Sequence, residues 1–123
     1  MQKSIIVENL SKNYFNKEAV KEISFTIKEN EILGLLGPNG CGKTTTIAMM
    51  LGLLEPTKGK VIIHGQDIEK NRISLLHKMN FISPYIELPK KLTVRENLIV
   101  YGKLYGVKSV SYTHLTLPTI CSV

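Results

Sequence analysis

Apolar positions fall in short runs separated by polar, Gly- and Pro-bearing breaks, and the period of each run predicts its element. Ser4 to Leu10 reads as a strand with both faces partly buried. Ser11-Lys12-Asn13-Tyr14-Phe15-Asn16-Lys17 reads as a polar loop carrying two aromatics. Ile23-Ser24-Phe25-Thr26-Ile27 alternates apolar with polar, the period of a strand with one face packed and one turned outward. Lys28-Glu29-Asn30-Glu31 predicts a turn, with Asn30 as a residue that tolerates a left-handed backbone. Ile32-Leu33-Gly34-Leu35-Leu36 is apolar throughout, the pattern of a strand buried on both faces, and Thr46-Ile47-Ala48-Met49-Met50-Leu51 reads as a buried helix.

Beyond that helix, Glu55-Pro56-Thr57-Lys58-Gly59 breaks the pattern. Lys60 to His64 predicts a strand, and Gly65 with Asp67 a hairpin turn. Glu69 to Lys78 predicts a short helix with Ile73, Leu76 and His77 on one face. Met79 to Ser83 predicts a brief strand, and Pro84 to Lys91 a loop. Thr93-Val94-Arg95-Glu96 is a capping box: the Thr93 hydroxyl accepts from the Glu96 N–H, and the Glu96 carboxylate accepts from the Thr93 N–H. Leu98, Tyr101 and Tyr105 follow at helical spacing as a core-facing stripe, and Gly106 caps the helix end.

The chemistry concentrates between the apolar run 32–36 and the helix after it. Gly37-Pro38-Asn39-Gly40-Cys41-Gly42-Lys43-Thr44 matches G-x-x-x-x-G-K-[ST], the phosphate-binding P-loop, and Thr45 follows it. A strand feeding a loop that opens a helix aims backbone N–H groups at a phosphate. Gly37, Gly40 and Gly42 permit close backbone approach. Successive N–H groups form an anion nest, Lys43 supplies a point charge to the β- and γ-phosphates, and the Thr44 hydroxyl suits Mg²⁺.

Composition adds limits. The 123 residues suffice for one small domain. No apolar run approaches the roughly 18 residues of a membrane span, and Met1 to Glu8 has no signal-peptide core, so a cytosolic location is expected. The net charge of +6 reads first as a lysine-rich surface, and alternatively as attraction to anionic nucleotide or to a membrane face. The lysines are scattered without basic–aromatic interleaving, so no nucleic-acid partner is expected. Cys41 and Cys121 have neither metal-ligand nor disulfide spacing, and Cys41 is expected to remain a free thiol. His64, His77 and His114 lie far apart and read as surface or turn residues.

Taken together, residues 1–109 resemble the N-terminal half of an ABC transporter ATPase, the nucleotide-binding subunit. Besides the P-loop, the resemblance rests on Leu10-Ser11-Lys12-Asn13-Tyr14, on Ser24-Phe25-Thr26-Ile27 before Glu31 to Gly40, on Gly52-Leu53-Leu54-Glu55-Pro56-Thr57-Lys58-Gly59 and on Leu92-Thr93-Val94-Arg95-Glu96-Asn97-Leu98. It implies an α/β fold: a P-loop core with an antiparallel β-subdomain, interrupted where a helical subdomain begins near Thr93. It also implies that Tyr14 stacks on adenine, that Gly37 to Thr45 bind ATP, and that Thr44 meets Mg²⁺. The implied activity is ATP hydrolysis driving transport across a membrane. The implied partners are transmembrane permease subunits and a second ATPase subunit, on the cytoplasmic face of the membrane.

Two departures stand out. The family usually carries a glutamine between the segment ending near Ile82 and the helix beginning at Thr93; here the only glutamines are Gln2 and Gln66, and the slot reads Ser83-Pro84-Tyr85. This resembles a branch of multidrug- or lantibiotic-type exporters. The signature loop, the catalytic glutamate and the switch histidine have no counterpart after Gly106. Instead Val110 to Val123 holds no charged residue and no helical period. Val110 to Thr119 matches the translation of a transposase sequencing adapter, GTC TCT TAT ACA CAT CTG ACG CTG CCG ACG, so residues 110–123 are expected to be a foreign tail. The chain as it stands is expected to lack turnover. Two other functions fit the same P-loop: a non-transport ABC ATPase acting in translation or DNA repair, and a nucleotide-binding module without turnover.

Overall fold

A computed structural model describes residues 3–85 and 87–108. The proposed foreign tail, 110–123, lies outside the described residues, as do Cys121 and His114. The chain divides after Asn80 into two units.

The first unit is a four-stranded antiparallel sheet with two helices. In chain order it comprises β1 (Lys3–Tyr14), β2 (Lys17–Lys28), α1 (Lys43–Met50), β3 (Lys58–Ile63), β4 (Gln66–Asp67) and α2 (Ile68–Leu76). The strands lie in the order β2-β1-β3-β4. Val7, Leu10, Val20, Val61 and Ile63 from the strands, Met49 from α1, and Ile68 and Leu75 from α2 form the buried core. Each such side chain contributes about 1.5–3 kcal/mol when removed from water.

Strict alternation would send Val7 and Leu10 to opposite faces of β1, since they are three residues apart. A bulge between them, with Asn9 at φ +46°, restores both to the core. The Ser24 hydroxyl donates to the Asn9 side-chain oxygen and accepts from the Asn9 N–H, at 3.1 and 2.8 Å, and these bonds hold the bulge. Gly59 passes directly over the Asn9 carbonyl, where any β-carbon would overlap it.

Several expectations hold. Glu31 N–H donates to the Lys28 carbonyl at 3.2 Å and Asn30 adopts φ +60°, closing the predicted turn. Gly65 turns the chain from β3 into β4 as expected, but its companion in the turn is His64, also at positive φ, while Asp67 lies in β4 and its side chain accepts from the Glu69 N–H as the N-cap of α2.

Others are corrected. The segment 11–17 is not a loop: β1 runs to Tyr14 and β2 begins at Lys17, leaving only a tight turn at Phe15-Asn16. Cross-strand bonding there overrides the polar composition. Ile32 to Leu36 forms no strand; Ile32 is 99% and Leu36 93% exposed. A strand buried on both faces requires a neighbour on each side, and no described strand runs beside this segment. Met79 to Ser83 likewise forms no strand. In α2 the buried residues are Ile68 and Leu75, while Ile73 and Leu76 are exposed. Asn71, at φ −121°, kinks that helix and interrupts the regular period on which the predicted face depended.

The second unit contains α3 (Val94–Leu104). Its capping box is formed: the Glu96 N–H donates to Thr93 Oγ1 at 3.2 Å, and Glu96 Oε2 accepts from the Thr93 N–H at 2.7 Å. Both bonds from Thr93, the backbone one first, hold the Glu96 carboxyl below its ordinary 4.5. Gly106, at φ +75°, follows the helix and donates to the Lys103 carbonyl, closing its end as predicted. The predicted stripe of Leu98, Tyr101 and Tyr105 is not buried; Asn97 is the buried residue of α3. Its side-chain amide donates to the carbonyls of Pro89, Leu92 and Thr93, fastening the preceding loop to the helix.

Candidate functional site

Three segments of the first unit converge on one cleft of about 330 Å³. Tyr14 comes from the end of β1, Lys17 and Ala19 from the start of β2, and Asn39, Gly40, Gly42, Lys43, Thr44 and Thr45 from the loop and first turn of α1. Most of the residues singled out from the sequence therefore share one wall or another. Tyr14, distant in sequence from the P-loop, reaches the cleft because the β1–β2 hairpin folds against the N-terminus of α1.

That packing has a local cause. In the β1–β2 register Lys12 faces Val20 and Asn13 faces Glu18, so Ala19 is the extra residue of a bulge on β2. The Ala19 carbonyl then lies against Gly42, where a β-carbon would overlap it. Gly42 is the N-cap of α1 at φ +97° and supplies no capping side chain. The first turn carries no acidic residue either. The opening N–H groups of α1 are thus left without a side-chain acceptor, the arrangement that suits an anion at a helix N-terminus. Gly40, at φ +80°, supplies the second left-handed position in the loop.

Lys43 organises the loop from inside. Its ammonium donates to the Gly37 carbonyl and, at 2.7 Å, to that of Pro38. Cys41 Sγ is 3.6 Å from the same nitrogen. The Cys41 N–H donates to the Pro38 carbonyl at 3.3 Å, closing the turn. Gly37, Pro38 and Cys41 therefore shape the loop around the cation and do not line the cleft. Cys41 is an exposed free thiol, as expected. Farther along α1, both the Thr46 N–H and its hydroxyl donate to the Gly42 carbonyl, so the first turn is firmly closed.

Lys17 and Ala19 are the cleft residues that sequence reasoning missed. The bulge that places Ala19 leaves no compositional trace, and Lys17 fell in the segment predicted as loop. Ser83-Pro84-Tyr85, in the slot of the absent glutamine, belongs to the second unit. There the Ser83 hydroxyl accepts from the Tyr85 N–H at 3.3 Å. Among the described residues, no group of three or more His, Cys, Asp or Glu could hold a metal ion. No described helix is long and apolar enough to cross a membrane.

Comparisons with known proteins give the chain's family. The chain is 43% identical over 100 residues to the linearmycin resistance ATP-binding protein LnrL of Bacillus subtilis (strain 168), covering 81% of this chain and 32% of that protein. It is 38% identical over 110 residues to the bacitracin transport ATP-binding protein BcrA of Bacillus licheniformis, covering 87% of this chain and 35% of that one. The chain thus spans about a third of the length of these relatives. A solved ATP-binding subunit of an ABC transporter superposes with a TM-score of 0.79 at 28% identity, over 89% of this chain and 46% of the other. The profile of the ABC transporter family matches residues 20–118, which include the P-loop, the capping box of α3 and part of the tail segment. With the α/β fold and the sequence profile in agreement, the chain belongs to the ABC transporter family, as an N-terminal portion of its ATP-binding protein.

Proposed function

We propose that this chain is the nucleotide-holding part of the ATP-binding subunit of a membrane exporter, of the multidrug or lantibiotic type. The observation that carries the reading is the cleft shared by Tyr14 and the P-loop, whose lining includes both an aromatic ring and a helix N-terminus with a lysine. Those two features suit the two chemically distinct parts of ATP, a flat base and a polyanion. Tyr14 stacks on adenine. The N–H groups of the loop and of the first turn of α1 hold the β- and γ-phosphates, and the Lys43 ammonium balances their charge. Positioning and charge stabilisation of this kind form the main part of phosphoryl-transfer catalysis.

The residues fit Mg²⁺ as well. Thr44 lines the cleft at the helix N-terminus, and a hydroxyl is the hard oxygen ligand that this ion takes beside phosphate oxygens and water. When bound, Mg²⁺ adds positive charge opposite the phosphates. The exporter assignment draws on two features. The relatives cited above are named for linearmycin resistance and bacitracin transport, and the glutamine slot here reads Ser83-Pro84-Tyr85. In this reading the full gene product hydrolyses ATP as a dimer with a second ATPase subunit. It is bound to transmembrane permease subunits at the cytoplasmic face of the membrane. Its catalytic glutamate and switch histidine are encoded beyond residue 109, in sequence that the segment 110–123 replaces.

The test is Lys43→Ala in the full gene product. Hydrolysis is expected to be abolished and ATP binding weakened, because the phosphates lose their point charge. Unchanged turnover would sink the assignment.

A further inference from the structure

Tyr14 is held from outside the cleft as well as exposed within it. Three hydrogen bonds tie the strand segment that ends in Tyr14 to Glu55-Pro56-Thr57, the link between α1 and β3. The Thr57 N–H donates to the Ser11 carbonyl at 2.8 Å. The Asn13 N–H donates to Thr57 Oγ1 at 3.0 Å. The Lys12 ammonium donates to the Glu55 carbonyl at 2.6 Å. The same ammonium stands over the Tyr14 ring, 5.4 Å from its centroid. Lys12, Glu55 and Thr57 are not part of the cleft wall.

We propose that Lys12 and Thr57 are positioning residues for Tyr14, setting its ring as a preformed wall for the nucleobase. This rests on reading the cleft as a nucleotide site. Immediately after Tyr14 the chain reverses at Phe15, which adopts φ +47° and is fully exposed. Tyr14 therefore sits at the free end of a two-stranded ribbon, an arrangement with little rigidity of its own. A ring that must be frozen on binding loses part of its stacking energy to ordering, and a ring already fixed does not.

The Lys-x-Tyr spacing supplies the fixing charge. Alternate residues of a strand share a face, so Lys12 and Tyr14 project to the same side. The ammonium is attracted to the ring face by its quadrupole, and its bond to the Glu55 carbonyl keeps it there. Thr57 holds the backbone on either side of Lys12, through Ser11 and Asn13. The Glu-Pro-Thr link thereby acts on the base end of the cleft without touching the ligand. Its effect falls on affinity for the base and leaves affinity for the phosphates unchanged.

The test titrates the full gene product separately with ATP and with inorganic tripolyphosphate, which has the phosphates and no base. Lys12→Met keeps the alkyl stem and removes the charge. It is expected to raise the ATP dissociation constant roughly two- to fivefold, the range for a cation over an exposed ring, with tripolyphosphate binding unchanged. Lys12→Arg restores ATP binding. Thr57→Val, which keeps the shape and removes the acceptor, weakens ATP binding in the same base-selective way. In a Tyr14→Ala background Lys12→Met has no further effect. If Lys12→Met weakens ATP and tripolyphosphate alike, or neither, the positioning role is overturned while the cleft reading stands. If Tyr14→Ala itself leaves ATP binding unchanged, the cleft reading fails and the positioning role falls with it.

Discussion

The α-carbon of Gly42 lies against the carbonyl oxygen of Ala19, so close that a β-carbon at position 42 would overlap that oxygen. This contact sets the N-terminus of α1 on the bulge of β2, and with it the distance from the P-loop to Tyr14. Gly42 also adopts φ +97°, which a side chain disfavours. Gly42→Ala therefore meets both a collision and backbone strain. Gly40, at φ +80°, has open space around its α-carbon and meets strain alone. Gly42→Ala is expected to cost about 1–3 kcal/mol of stability, and more than Gly40→Ala. Urea unfolding of the full gene product measures both; equal midpoints for the two variants would contradict the contact.

The capping box of α3 gives a pH dependence with a definite sign. The Thr93 N–H and then the Thr93 hydroxyl hold the ionised Glu96 carboxyl, lowering its pKa below the ordinary 4.5. A depressed carboxyl contributes stability above its unfolded value and loses it as pH falls through the folded one. The cap is therefore intact at neutral pH and released in acid, below 4.5. An NMR titration of Glu96 is expected to give a pKa below that value. Thr93→Ala should raise it part of the way, because the backbone donor remains. An unshifted Glu96 in the unmodified protein would show that the cap does not form.

Much of the site was legible because its residues are constrained one by one. The letters from Gly37 to Thr44 specify a loop of left-handed glycines ending in a cation, and the structure has Gly40 and Gly42 at positive φ with Lys43 inside the loop. Thr93 and Glu96 specify a helix start and form one. What escaped was set by contacts between distant segments. The Ala19 and Asn9 bulges decide which side chains meet, yet neither changes local composition. The pairing of Lys12, Asn13 and Tyr14 with Val20, Glu18 and Lys17 turns a polar stretch into strand. Ile32 to Leu36 has strand composition, but composition supplies no neighbouring strand.

Those exposed side chains bear on the proposed foreign tail. Ile32 and Leu36 stand almost fully in solvent, the position of residues whose sheet partners come from other sequence. Amplifying the locus from source DNA and reading across the codon for Val110 is expected to show an open frame running on for roughly another half-domain. It should encode a Ser-Gly-Gly signature, an apolar strand ending in Asp-Glu, and a switch histidine. The 123-residue chain expressed alone is expected to aggregate or remain partly unfolded. Recovery of the Val110 to Val123 codons followed by a genomic stop would overturn this prediction.

The central claim is that one cleft holds a base against Tyr14 and phosphates on the P-loop. Its most direct measurement is the ATP dissociation constant of the full gene product with Tyr14 unchanged, as Tyr14→Phe and as Tyr14→Ala. Stacking on an aromatic is worth roughly 1–3 kcal/mol per base in single-stranded nucleic-acid complexes. Tyr14→Ala is accordingly expected to raise the dissociation constant about tenfold or more, while Tyr14→Phe, which keeps the ring, leaves it nearly unchanged. Equal binding by all three proteins would contradict the account and return Tyr14 to the role of an exposed hairpin residue.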